Sequence, residues 1–294
     1  MLAQATIYSE AVLFNQQQFE TELRDVTQQL SQSTEHSEIN QPQTIPLHLF
    51  ETLSSTNQTL WELLNQGAPI PTVVIATQQT AGRGQWGRKW QSNQGGLYLS
   101  LALAPNIEAS NSAQLTLCSA WGIATALRSY GIPVLLKWPN DLLLLGRKLG
   151  GILTETRVHQ GQITKAIVGV GINWSNTVPE TGINLQSFCA QQVTPSVTSL
   201  EMLAAIVVKG LLVGYQRWSE DGIDNLLLCY HKLLDSQGYP VTIEGNPGTV
   251  IGVTRTGELR VRLRSLNSAV TGTNSPTPTE ITLKPGTISL GYRL

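Results

Sequence analysis

Residues 72–103 read TVVIATQQTAGRGQWGRKWQSNQGGLYLSLAL, and the fold turns on the middle of that stretch. Thr72–Thr77 and Leu97–Leu103 are apolar runs of strand length. Between them, Gly82-Arg83-Gly84-Gln85-Trp86-Gly87 matches the GxGxxG spacing of dinucleotide-binding loops. That fingerprint needs a helix to open within the motif, so that its N-terminus faces the pyrophosphate. Here Arg88-Lys89-Trp90-Gln91-Ser92-Asn93-Gln94-Gly95-Gly96 follows, with no helical apolar period. The doubly wound nucleotide fold is rejected on that ground, and no Walker pattern is present. The segment reads as strand, cationic glycine loop, strand. Three glycines for movement and three cations (Arg83, Arg88, Lys89) suit a loop that closes over an anion. An ordinary exposed hairpin loop would look the same in isolation.

Working outward, Ser55 or Thr56 can cap a helix carrying Leu60, Leu63 and Leu64, stopped at Gly67 and Pro69. Ser112–Tyr130 reads as a helix ending at Gly131 and Pro133. Strands are expected near Val134–Trp138 and Leu142–Leu145. Gly151–Val158 and Thr164–Asn173 form a hairpin through His159-Gln160-Gly161-Gln162. Leu200–Trp218 and Ile223–Leu234 read as two amphipathic helices. From Gly238 the texture changes to short β-rich runs at Val241–Glu244, Thr249–Thr254, Glu258–Arg264, Glu280–Leu283 and Thr287–Tyr292. These imply a small all-β barrel, with a long mobile loop over Ser265–Thr279. Residues 1–46 are polar, and Phe14, Phe19, Leu23 and Val26 could line one side of a helix there. Too short to bury a core, this segment is expected to be a loosely attached, flexible arm. The expected divisions are thus 1–46, 47–237 and 238–294.

Composition sets outer limits. The 294 residues hold 19 Lys+Arg and 20 Asp+Glu, a net charge of −1 that argues against a broad nucleic-acid surface. Charged residues are 13% of the chain, so where they sit matters more than how many there are. Cys118, Cys189 and Cys229 lie far apart, which fits neither a disulfide framework nor zinc spacing. No signal peptide or membrane-spanning stretch is read, and a cytoplasmic location is expected.

A second cationic segment gives the first its meaning. Lys137-Trp138-Pro139-Asn140-Asp141 precedes four leucines and then Gly146-Arg147-Lys148-Leu149-Gly150-Gly151. Residues 82–90 and 137–148 together hold six of the 19 cations and a single acid, Asp141. Brought together, they would make a site of formal charge about +5, able to attract a nucleoside triphosphate.

Taken in order, Ser55-Thr56-Asn57, Gln79, Gly82-Arg83-Gly84-x-x-Gly87-Arg88-x-Trp90, Lys137-Trp138-Pro139-Asn140-Asp141, Arg147-Lys148-x-x-Gly151 and Gly169-x-Gly171-Ile172-Asn173 resemble the biotin–protein ligases over residues 50–294. The resemblance implies an α+β fold: a mixed β-sheet catalytic domain with flanking helices, like class II aminoacyl-tRNA synthetases and lipoate ligases, then an SH3-like β-barrel. It implies that biotin's carboxylate attacks the α-phosphate of ATP, with Mg²⁺, giving biotinyl-5′-adenylate and pyrophosphate. The ε-amine of one lysine on a biotin carboxyl carrier protein, usually that of acetyl-CoA carboxylase, then takes the acyl group and releases AMP.

The resemblance also implies the site residues. Arg83, Arg88 and Lys148 would hold the carboxylate and phosphates, fixed charge at the transition state being typically the largest catalytic contribution. Ser55, Thr56, Asn57 and Gln79 would meet the neutral ureido head in a dry pocket. Gly151, Leu153, Gly169 and Gly171 would form its floor. Trp90 would wall the biotin tail and the nucleotide, and Asn173 would contact adenine or ribose. Gln85, Lys137 and Asn140 complete the expected ATP set. Asp141 would bind Mg²⁺ or position the incoming amine; a backbone-capping turn is the plainer alternative.

Two departures stand out. In much of the family an arginine follows Gly84, where this chain has Gln85, which implies weaker retention of the adenylate or compensation by Arg88. Some relatives carry an N-terminal winged helix-turn-helix, whereas residues 1–46 are short and acidic, with Arg24 the single basic residue, so no operator binding is expected. A lipoate or octanoate ligase and a non-enzymatic biotin-binding protein are the competing readings. Whether a sheet edge pairs two subunits as a homodimer or receives the carrier is left open, as is whether the C-terminal domain contacts ATP or the carrier.

Overall fold

The computed structural model describes residues 14–32, 45–264 and 279–292. Alternating and near-continuous apolar runs build one eight-stranded mixed sheet: β1 (Leu47–Leu53), β2 (Val73–Gln79), β3 (Gly96–Leu103), β4 (Ile107–Glu108), β5 (Leu135–Lys137), β6 (Asp141–Leu144), β7 (Arg147–His159) and β8 (Gln162–Asn173). The spatial order is β1-β2-β3-β8-β7-β6-β5, with β4 pairing β8. Only β1 and β2 run parallel; the other pairs are antiparallel. The turns joining β7 to β8 and β6 to β7 have positive φ at both central residues (Gln160-Gly161 and Leu145-Gly146), the geometry that keeps twisted strands paired.

β3 is buried along its whole length because helices cover both faces of the sheet. On one face lies α2 (Thr56–Asn65), whose Leu60 and Leu64 pack on Val74, Ala102 and Ile167. On the other lie α3 (Ala113–Ser129) and α5 (Leu200–Leu233). α5 is broken at Gly222 (φ 76°), so it reads as the two expected helices. α3 and α5 cross so closely that a Cβ at Gly122 would lie 2.1 Å from the Gly210 carbonyl oxygen. A short α4 (Leu185–Cys189) links β8 to α5.

The structure departs from the expected loose arm at α1 (Gln16–Gln32). Phe19 and Val26 are buried, and Asn15 N donates to Glu201 Oε1 on α5 at 2.8 Å. Two apolar side chains seven residues apart on one helical face find a ready partner in α5, which composition alone could not reveal. The remainder of the arm, residues 1–13 and 33–44, lies outside the described residues.

The C-terminal part forms a separate four-stranded antiparallel sheet, ordered β12 (Glu280–Leu283), β11 (Leu259–Leu263), β10 (Asn246–Val253), β9 (Pro240–Ile243), as the SH3-like expectation required. The long loop expected over 265–279 lies outside the described residues, Thr279 apart. The expected fifth strand, Thr287–Tyr292, is absent as a strand. Among the described residues they pair with no strand, and they run back to the first domain, where Ile288 and Tyr292 line its cavity. The two parts are also joined by Trp138 Nε1 donating to the Gly257 carbonyl at 2.8 Å.

Candidate active site

Sheet register fixes the floor of the site. Leu153 pairs with Gly169 and Gly151 with Gly171, while Ser100 and Tyr98 face the same two glycines from β3. With a period of two, these residues share one face. The N-terminus of α2 sits above them. A Cβ at Gly169 would lie 2.3 Å from Asn57 Oδ1, and one at Gly171 would lie 2.5 Å from the Trp90 indole. Both glycines therefore make room for side chains of the site itself. Gly151 differs, since a Cβ there would meet Trp90 and Asp141 at an ordinary 3.5 Å.

A polar platform grows from this floor. Thr56 N and its hydroxyl donate to Gln79 Oε1 (2.8 and 3.2 Å), and Gln79 Nε2 donates to Ser92 Oγ (2.8 Å). The Ser100 hydroxyl lies 2.6 Å from Asn57 Oδ1 and 2.8 Å from Thr56 Oγ1. Asn57 Nδ2 donates to the Leu153 carbonyl and to Glu155 Oε2. Ser55 occupies the cap position of α2, yet its side chain makes no capping bond. Ser55, Thr56 and Asn57 are all buried. Their oriented groups suit a neutral, polar head group.

The cations gather at the other part of the same cavity, whose volume is about 380 Å³. Lys148 Nζ lies 2.7 Å from Asp141 Oδ1 and 5.2 Å from the centre of the Trp90 ring. Lys137 Nζ is 3.8 Å from Asp141 Oδ2. Burial pushes the Lys137 ammonium below the usual lysine range, Asp141 opposes that shift, and the charges of Lys148 and Arg88 add to it. Arg88 lies over the Trp86 ring at 5.9 Å. Trp90 Nε1 and Gln85 Oε1 are buried without a partner among the described residues, a donor and an acceptor left for a ligand.

The glycine loop is a tight hairpin with no helix behind it. Gly84 N donates to the Arg88 carbonyl and Trp90 N to the Gly82 carbonyl. Gly82 is a packing requirement, because its Cβ would lie 2.4 Å from both Ser92 Oγ and the Trp90 carbonyl oxygen. Arg83 is turned to Glu155, Nη1 to Oε1 at 2.9 Å and Nη2 to Oε2 at 3.2 Å. It still lines the cavity.

All but one of the sequence-derived residues line this cavity, Leu153 and Asn140 included. The exception is Asn173. Its Nδ2 donates to the Lys148 and Ile183 carbonyls and its Oδ1 accepts from Asn176, so it braces the backbone behind Lys148. Asn140 is also spent on structure, donating to the Ile152 carbonyl at 2.8 Å. Sequence reasoning missed Ser100, Glu155 and Tyr292. The period-two run Gly151, Leu153, Glu155 carried a signal for Glu155; nothing local marked Tyr292, whose hydroxyl donates to Asp141 Oδ2 at 2.6 Å.

Asp141 does not fit a protein-held Mg²⁺. Both its oxygens are engaged, two of its neighbours are ammonium groups, and the described residues hold no cluster of three metal-ligating side chains. A divalent cation would displace like charges there.

Fold and site together define a class: an α+β ligand-binding domain in which a neutral polar platform and a cationic cluster share one cavity. The biotin/lipoate A/B protein ligase family model matches residues 49–173. It is 43% identical over 125 residues to the bifunctional ligase/repressor BirA of Bacillus subtilis, covering 42% of this chain and 38% of that one. It is 37% identical over 112 residues to the biotin–[acetyl-CoA-carboxylase] ligase of Paracoccus denitrificans, covering 37% and 46%. The chain thus matches less than half the length of each. The biotin protein ligase of Aquifex aeolicus, solved in complex with biotin and ATP, superposes with a TM-score of 0.61 at 26% identity, over 74% of this chain and 95% of that one.

Proposed function

We propose that the chain is an ATP-dependent biotin–protein ligase. It activates biotin as biotinyl-5′-adenylate and transfers it to one lysine of a biotin carboxyl carrier protein, that of acetyl-CoA carboxylase. The observation that carries this reading is the shared cavity, with the Thr56–Asn57–Gln79 platform, backed by Ser100, and the Lys137–Asp141–Lys148 cluster opening onto one space. A neutral ureido ring meets donors and acceptors already oriented by one another, and the carboxylate end then faces the cations. The Paracoccus relative's name supports the carrier, and the Aquifex complex supports biotin and ATP as the ligands.

Activation brings a carboxylate and a phosphate together, so their repulsion must be offset by fixed charge. Lys148, reaching from β7, and Arg88, reaching from the loop, provide it. A carboxylate oxygen of biotin bonds to the α-phosphorus and pyrophosphate leaves. Trp90 covers the platform and excludes water from the resulting mixed anhydride. In the second step the acceptor nitrogen bonds to the acyl carbon, the C–O bond to phosphate breaks, and AMP leaves.

The platform also favours biotin over lipoate, whose dithiolane offers nothing to bind these polar groups. The main test incubates the protein with ATP, Mg²⁺ and either biotin or lipoate, and weighs the carrier domain by intact mass spectrometry. A biotin-sized gain on one lysine is expected. A lipoyl-sized gain, or none, would overturn the reading.

A further inference from the structure

Tyr292 brings a C-terminal side chain into the site just described. Its hydroxyl donates to Asp141 Oδ2 at 2.6 Å, while the Lys137 ammonium lies 4.0 Å from its ring centre. Asp141 Oδ1 is held by Lys148 at 2.7 Å. Asp141 is the one carboxylate among the described residues lining the cavity, and its Oδ2, bonded by the Tyr292 hydroxyl with Lys137 at a longer 3.8 Å, is the oxygen that an arriving amine can take over by displacing the phenol. The segment that delivers Tyr292 is bounded by Gly286 and Gly291, both with positive φ (93° and 66°), which lets the backbone turn sharply at each end.

We infer that Tyr292 is a positioning residue for acyl transfer: its hydroxyl holds Asp141 Oδ2 in the place of the acceptor ammonium and closes the cavity until the acceptor lysine displaces it. The inference rests on the function proposed above. The phenol–carboxylate bond is itself charge-assisted, but an ammonium adds a full opposite charge to its hydrogen bond, so the acceptor lysine displaces the phenol where a small neutral nucleophile does not. Once bound, the ammonium passes one proton to Asp141 Oδ2, its nitrogen bonds to the acyl carbon, AMP departs with the electrons of the broken C–O bond, and the second nitrogen proton leaves to the released phosphate or to water. Between the two steps, the phenol guards the anhydride against stray nucleophiles. Selectivity thus comes from what must be displaced as well as from what is contacted.

The test uses the full chain and hydroxylamine as a neutral probe. Adenylate is formed on the protein from biotin and ATP, excess reagents are removed by rapid desalting, and biotin hydroxamate is followed after hydroxylamine is added. Tyr292→Phe keeps the ring over Lys137 and loses only the hydroxyl, whereas Tyr292→Ala loses both. Capture about tenfold faster than in the native protein is expected for Tyr292→Phe, the ratio set by one hydrogen bond to a charged group, and at least that for Tyr292→Ala. KM for the carrier domain should fall in Tyr292→Phe more than kcat changes, because the lysine no longer competes with the phenol. Capture at the native rate in both variants overturns the inference and leaves the ligase reading standing. No adenylate on the native protein overturns the ligase reading, and this inference with it.

Discussion

Gln85 has a buried side-chain oxygen with no partner among the described residues, in the loop position where the family resemblance implies a guanidinium. Gln85→Arg should slow release of the adenylate about tenfold, the value of one charged hydrogen bond, when measured as dissociation of radiolabelled intermediate; an unchanged off-rate would count against it. Glu155 serves the site differently. It accepts from Asn57 and from Trp61, and it also holds Arg83. Glu155→Ala removes one anchor of the platform, so the biotin Kd measured by calorimetry should rise about two- to tenfold, the range of one net hydrogen bond. At this scale the sequence was most informative where chemistry is carried by residue type, as in Lys148, Gln79 and Arg88. It was least informative for Asn173, whose type permits both ligand binding and the backbone bracing found here.

The helices and the sheet hairpins were legible because their periodicities are local. Gln160-Gly161 and the break at Gly222 were visible as turn and breaker signals. Packing between elements was not. Nothing in the helical pattern of α3 says that Gly122 touches the backbone of α5 at Gly210. Gly122→Ala should destabilise the protein by about 1–3 kcal/mol, the usual cost of forcing extra atoms into a packed contact. The change is read as a fall in chemical-denaturation midpoint with an unchanged slope; an unaltered midpoint would show that the crossing can relax. The tail gives the opposite lesson. Ile288, Leu290 and Tyr292 alternate as a strand should, yet no strand among the described residues pairs with them, and the segment instead forms part of a cavity wall.

Across the whole molecule, α5 meets the C-terminal sheet at a junction that can sense pH. Val253 N donates to His231 Nε2 at 2.9 Å, which requires an unprotonated nitrogen. Burial holds His231 below its ordinary value, a shift that Arg260 reinforces and the Val253 backbone opposes. The folded state therefore binds this proton less tightly than the unfolded chain. The contribution is fully present above the ordinary histidine value near 6.5 and is lost as pH falls through and below it. Tm of the native protein should accordingly drop more steeply on acidification than that of His231→Gln, as followed by differential scanning calorimetry; parallel slopes would exclude the junction as the cause. By itself, the sequence determined the α+β class, the change to a small β unit near Gly238 and nearly all the charged and polar residues of the site. These follow from side-chain chemistry and from periods of two and 3.6, which any short window contains. Only the tertiary structure decided that α1 docks on α5, that Glu155 holds Arg83, that Asn173 is a brace and that Tyr292 reaches Asp141 across 151 positions. Each of those depends on which surfaces remain unpaired once the sheet has formed, and that balance of burial is settled by the whole chain together.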